Sequence, residues 1–209
     1  MLMIAKDPAA NGSYPPLQPW AGQTPPEGYY QIEDGLDASV FAACSGFVIL
    51  TVIRGIVTAM DPNTEALEAW RAAASAAALP VRKKERIAES KQQLADYLLA
   101  HPLQWTDGQY YAITAEKQQQ LTGKIMSATL AAQTSTPYAL TWNATGQECQ
   151  SWTLENLTAL AFAIDARVTS LVSYQQAQEV AMREASTLEA LEAIPVDYDS
   201  VPLPGGETA

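Results

Sequence analysis

Between residues 47 and 60 almost every position is apolar and many are β-branched. Phe47-Val-Ile-Leu-Thr-Val-Ile53 is followed by Arg54-Gly55 and then by Ile56-Val-Thr-Ala-Met60. Two such runs around a two-residue break predict a β-hairpin. Further along, the apolar period lengthens. Leu157, Leu160, Ala161, Ile164, Val168, Leu171 and Val172 recur three and four apart. They form one stripe on a helix of roughly thirty residues, about 45 Å long, with Thr153 as its N-cap. Such a stripe must be covered by other parts of the chain or by a partner. A helix over 85–100 places Ile87, Leu94, Tyr97 and Leu98 on or near one face. It stops at His101-Pro102, because the residue before a proline leaves the α region. Thr114 caps the next helix, which carries Leu121, Ile125, Met126 and Leu130 and ends near Gln133.

Turn residues divide these periodic segments. Leu103-Gln-Trp105 and Gln109-Tyr-Tyr-Ala-Ile113 flank Thr106-Asp107-Gly108, and Asp-Gly between alternating residues predicts a hairpin. In 138–152, Leu140 and Trp142 alternate with polar neighbours and Gly146 supplies the positive φ of a tight turn. Helix followed by aromatic hairpin thus occurs twice, at 85–113 and 114–152, without a sequence repeat. Asp61-Pro62-Asn63 ends the earlier strand, and Asn63 or Thr64 caps a helix using Leu67 and Trp70. Ala72–Pro80 reads as a linker or a fraying helix end. Ser186-Thr-Leu-Glu189 has the form of a capping box and restarts a short helix through Ile194, closed by Pro195.

The resulting expectation is an α+β chain. A proline-rich leader or docking arm (1–28) precedes a small hairpin-plus-helix module (29–79). An α+β domain (85–198) follows, with helices interleaved with two short hairpins and one long C-terminal helix, and then a disordered tail (199–209).

Composition removes several function classes. Val40–Met60 has the length of a membrane span, but Ser45-Gly46 and Arg54-Gly55 interrupt it. Arg54 near mid-bilayer would cost several kcal/mol, and the flanking Glu33, Asp34, Asp37 and Asp61 are acidic. No membrane span is expected. A formal net charge of −11 argues against nucleic acid as a partner, since phosphate binding needs clustered cations. The only basic cluster, Arg82, Lys83, Lys84 and Arg86, sits beside Glu85 and Glu89, as a solvated helix start or a docking patch for an acidic partner. Cys44 and Cys149 are too few for a disulfide framework, and one histidine is too few for an imidazole metal site. Reduced thiols are expected, and a secretory signal is not.

No reaction is announced by these residues. His101 is wedged before a proline. The carboxylate groups Glu33-Asp34 with Asp37, and Asp197 with Asp199, lie where acids commonly cap and turn. No glycine loop could cradle a phosphate. No catalytic residue, metal ligand or cofactor is therefore assigned. The aromatics remain. Trp20, in the leader, and Trp105, Tyr110, Tyr111 and Trp142, in the hairpins, are the candidate binding residues. Trp152 stands beside them. Alternation places Trp105 and Tyr111 on one face and Tyr110 on the other. Those turned inward fill a core, and those turned outward form a recognition surface.

Four runs occur in order: His101-Pro-Leu-Gln-Trp-Thr-Asp-Gly-Gln-Tyr-Tyr111, Leu140-Thr-Trp-Asn-Ala-Thr-Gly-Gln-Glu-Cys149, Trp152-Thr-Leu-Glu-Asn-Leu-Thr-Ala-Leu160 and Thr187-Leu-Glu-Ala-Leu-Glu-Ala-Ile194. Together they resemble, over about 85–198, a domain of unknown function that recurs in bacteriophage and prophage tail genes, often beside tail fibres. The stretch from Gly28-Tyr-Tyr30 to Trp70 resembles small modules encoded near the tail and lysis genes of gut-bacterial phages. The resemblance implies a non-enzymatic protein of the virion tail, or of the host bacterial cytoplasm during assembly. Its partner would be a tail fibre or baseplate protein. Virion component and assembly chaperone both remain open, as does a homo-oligomer. A receptor-binding module recognising host-surface glycan through exposed aromatics is the alternative.

Overall fold

The structure is a computed structural model and describes residues 1–203. The chain is α+β and divides into two compact units, Met1–Ala78 and a second from Leu79 onward.

The first unit is built on a five-stranded sheet, with strands β1 (Leu2–Ala5), β2 (Gln18–Pro19), β3 (Tyr29–Ile32), β4 (Val48–Ile53) and β5 (Ile56–Pro62) in the order β2-β1-β3-β5-β4. All neighbours are antiparallel except β3 and β5, which run parallel. A five-residue helix, α1 (Ser39–Ala43), precedes β4. The expected hairpin is β4–β5. Its turn residues Arg54 and Gly55 have φ of 53° and 82°, and positive φ at both central positions suits the right-handed twist of the paired strands. The segment weighed as a membrane span is therefore the end of α1 followed by the paired strands β4 and β5.

The leader is not an appendage. Its residues Leu2–Ala5 make β1, which lies between β2 and β3, and Ile4 is wholly buried against Ile32, Val57 and Met60. Tyr14 donates its backbone N–H to the Gly46 carbonyl at 2.9 Å. A Cβ on Gly46 would come within 2.6 Å of the Tyr14 carbonyl, so the close approach requires glycine there. The prolines dominate the composition of 1–28, but they begin at Pro8, after a four-residue strand has already formed.

Helix α2 (Thr64–Ala100) is continuous across the stretch read as a linker. Asn63 caps it, accepting the Ala66 N–H at 3.1 Å, and it stops before His101-Pro102 as expected. Alanine has the highest helix propensity, which carries the helix through Ala72–Ala78. Pro80 is tolerated inside it despite lacking an N–H.

The second unit contains the rest of α2, then β6 (Leu103–Gln104), β7 (Tyr110–Tyr111), α3 (Ala115–Gln133), β8 (Thr141–Trp142), β9 (Gln150–Ser151), α4 (Leu154–Glu184) and α5 (Leu188–Glu192). β6–β7 and β8–β9 are separate antiparallel pairs. The second hairpin is wider than expected: seven residues separate its strands, with Gly146 at φ 74° inside the loop. The α4 stripe holds, with Leu157, Leu160, Ile164 and Leu171 buried. By length and composition α4 is the one helix among the described residues apolar enough to cross a membrane. Here its stripe covers the second unit's own core, and Arg167 and Gln175 are buried on it.

Three further expectations need correction. The cap of α5 is Thr187, not Ser186: its hydroxyl accepts the Ala190 N–H at 3.0 Å, so no capping box forms. The basic cluster is neither a solvated start nor a free patch. Arg82 pairs with Glu89 and Glu192, Arg86 lies beside the same two acids, and Lys83 donates to the Arg183 carbonyl at 2.6 Å. The tail is ordered through Leu203, for Val201 is buried and Arg167 donates to the carbonyls of Val201 and Pro202 at 2.8 and 3.1 Å. The remainder of the expected disordered tail, 204–209, lies outside the described residues.

Candidate functional site

The strongest candidate is an open cleft of about 350 Å³ lined by both hairpins of the second unit. The paired strands supply Tyr111, Trp142 and Gln150, and the adjoining turn and loop residues Asp107, Gln109, Ala144, Glu148 and Trp152 complete the lining. Gln147 adds to the rim. The two hairpins are joined directly, since the Thr145 N–H donates to the Tyr110 carbonyl at 2.8 Å.

The floor is apolar and fixed. Tyr111, Trp142 and Ala144 are buried in the core cluster with Leu121, Leu157 and Leu160. Trp152 is half-buried. It stacks on Trp105 with ring centroids 5.4 Å apart and meets Tyr111 edge-on at 5.7 Å. Edge-on and offset pairs are the favoured aromatic geometries and lock the rings in place.

The rim is polar. Asp107 turns the first hairpin: its Oδ1 accepts the Gln109 N–H at 2.9 Å and its Oδ2 accepts the Tyr111 hydroxyl at 2.7 Å. Burial, and then the Asp107 carboxylate, pushes the Tyr111 hydroxyl well above its ordinary pKa, so it stays a donor. Glu148 is the second carboxylate, and Gln109, Gln147 and Gln150 contribute three amides. Among the described residues no lysine or arginine lines the cleft. A smaller pocket, about 150 Å³, is lined by Lys117, Trp142 and Asn143, and the Lys117 ammonium sits 5.5 Å from the Trp142 ring centre.

The candidate aromatics do not form one exposed surface. Trp142 is 6% exposed and Tyr111 is buried, so both are core residues that only floor the cleft. Trp105 is half-buried beneath the Trp152 stack and shares a face with Tyr111, as alternation predicts. Tyr110 points the other way and is 50% exposed. Trp20 belongs to the first unit, where its N–H donates to the Met1 carbonyl at 3.0 Å and its ring covers Gly22. Burial overrode the recognition reading at Tyr111 and Trp142 because a small unit with two-residue strands needs large rings to fill its core.

The polar rim escaped notice, although the signal existed. Asp107, Gln109 and Tyr111 share parity, as do Glu148, Gln150 and Trp152, so each aromatic brings polar neighbours two residues away onto its own face.

The other chemical candidates have structural occupations. His101 stacks on Tyr97 at 3.9 Å. Asp37 accepts the Ser39 N–H, which holds its carboxyl below the ordinary value. Asp197 accepts the Asp199 N–H at 3.1 Å and shapes a turn. Among the described residues no group of three or more His, Cys, Asp or Glu is placed to hold a metal ion.

A second surface lies on α3. Met126 and Leu130, two of the apolar residues that the helix carries, are 67% and 60% exposed and line a shallow groove of about 460 Å³ with Ile125, Thr129 and Gln133. Leu121, on the same helix, is buried.

Comparison of the chain with protein-family models, with curated proteins and with solved structures yields no match.

Proposed function

We propose that this chain is a non-enzymatic protein associated with a bacteriophage tail, attached to the tail fibre or baseplate or helping one of them assemble. It acts through protein–protein contacts, in the virion tail or in the cytoplasm of the host bacterium during assembly. The tail context rests on the ordered runs over 85–198. The observation that carries the binding role is the outward turn of Met126 and Leu130 on α3, since exposed apolar side chains grouped along a groove favour a protein partner. The net charge of −11 favours neither nucleic acid nor an anionic membrane as that partner.

Mass spectrometry of purified particles, paired with capture by the soluble neighbouring fibre protein, tests this. Presence in virions supports a tail component. Absence from virions with capture by the fibre leaves the chaperone role, and absence with no capture rejects the proposal. Met126→Glu with Leu130→Glu should weaken capture at least about tenfold, the effect of losing two apolar anchors from an interface.

A second reading, recognition of a host-surface glycan, is favoured by the hairpin cleft, where a fixed aromatic floor meets a polar rim. Trp142 floors that cleft from within the core.

A further inference from the structure

We infer that the hairpin cleft is a subsite for an uncharged saccharide, an assignment that rests on the glycan reading above and narrows it to one place and one ligand class. The functional groups of the rim decide the class. Three primary amides each offer two donors and an acceptor, and two carboxylates offer acceptors alone. A sugar hydroxyl is donor and acceptor at once, so a polyol matches this mixture. A phosphate, sulfate or acidic sugar would face Asp107 and Glu148 with no cation in the lining to offset them. An ammonium or guanidinium would suit the carboxylates, but it is donor-only and leaves the amide N–H groups unmatched.

The geometry suits the same class. Trp152 is half-buried, lines the cleft and is held by Trp105 and Tyr111, so an apolar sugar face can meet the cleft-facing part of a ring that is already ordered. Asp107 is oriented before any ligand arrives, through the Gln109 N–H and the Tyr111 hydroxyl. Each of its oxygens keeps capacity to accept a further hydroxyl. The volume, about 350 Å³, falls at the small end of the range of roughly 300–1,000 Å³ usual for ligand sites. That suits the end of a chain and not a long glycan.

The test is heteronuclear NMR of the full chain titrated with glucose, galactose and N-acetylglucosamine. Sialic acid serves as the anionic probe and lysine amide as the cationic one. At least one neutral sugar should shift the Trp152 indole N–H together with the side-chain amides of Gln109, Gln147 and Gln150, and sialic acid should not. Gln147→Ala with Glu148→Ala, both on an exposed loop, should weaken that sugar about tenfold, as expected for two hydrogen bonds lost. No shift with any neutral sugar, an unchanged affinity in the double variant, or a response to lysine amide alone would overturn the assignment. A glycan array separates the two levels. Glycans bound without perturbing the cleft reject the subsite only, whereas a blank array rejects the glycan reading and leaves the fibre-binding role to be judged by capture.

Discussion

Arg167 is 7% exposed, and it ties residues 201 and 202 and helix α2 to α4. One nitrogen donates to the Val201 and Pro202 carbonyls, and the other to the Tyr97 hydroxyl at 3.2 Å. Replacing it strands three buried or half-buried oxygens, so Arg167→Met should cost about 2–3 kcal/mol, measured as a fall in the urea midpoint. An unchanged midpoint would mean water replaces those bonds without loss. Arg167 was invisible to periodicity. It sits within the apolar stretch of α4, and only the returning chain near Val201 explains a cation there. The Thr153 cap, by contrast, was legible, because a helix N-terminus leaves N–H groups unpaired whatever surrounds it. Its hydroxyl accepts the Asn156 N–H at 3.2 Å. Thr153→Ala should cost about 1 kcal/mol in the same assay.

Helix α2 carries a proline in its interior, and each helical proline costs about 3 kcal/mol relative to alanine. Pro80→Ala should therefore raise the urea midpoint, by up to that amount. A lower midpoint would show that the surroundings of Pro80 require the missing N–H or the ring. The α2–α4 contact is also pH-sensitive. Glu179 on α4 accepts from Lys91 on α2, at 2.8 Å, and from Arg183, and these two, Lys91 first, hold its carboxyl down at about 2 against an ordinary 4.5. A folded value below the unfolded one means that this contribution is fully present above about pH 4.5. It is lost as the pH falls from there towards 2. Glu179→Gln should flatten the acid limb of a stability-against-pH profile between those two values. An acid limb of the same steepness in the variant would assign it to other carboxylates. Among elements, the long helix and the β4–β5 and β6–β7 hairpins were readable, because period and turn chemistry are local. The continuity of α2 was not, since Pro80 and a run of alanines match the pattern of a linker as closely as that of a helix.

At the scale of the molecule, the two units are organised around separate cores. One centres on Ile4, Ile32, Val57 and Met60, and another on Leu121, Leu157, Leu160 and Ile164 with the hairpin aromatics. Ile4→Ala should cost about 2–5 kcal/mol, the usual range for truncating a fully buried isoleucine. Amide hydrogen exchange should speed up in β1, β3 and β5 while the α4 amides over 157–171 stay protected. Equal acceleration in both units would show that their folding is coupled. The same experiment checks the place of the N-terminal strand, because a leader outside the fold would leave exchange unchanged.

Period, turn residues and caps are properties of a few neighbouring side chains, so the sequence alone determined the β4–β5 hairpin, the first aromatic turn, the α3 and α4 caps and the apolar stripe of α4. Contacts between residues far apart in the chain were settled only by the tertiary structure. Folding drew Met3 and Ile4 into a sheet whose other strands lie beyond residue 17, and it turned Trp142 inward and Met126 outward. It also closed Arg82 onto Glu192 and set two hairpins side by side so that alternate residues line one cleft. The physical reason is that burial is a competition among all apolar groups for a limited interior, and its outcome depends on what the rest of the chain brings to each site.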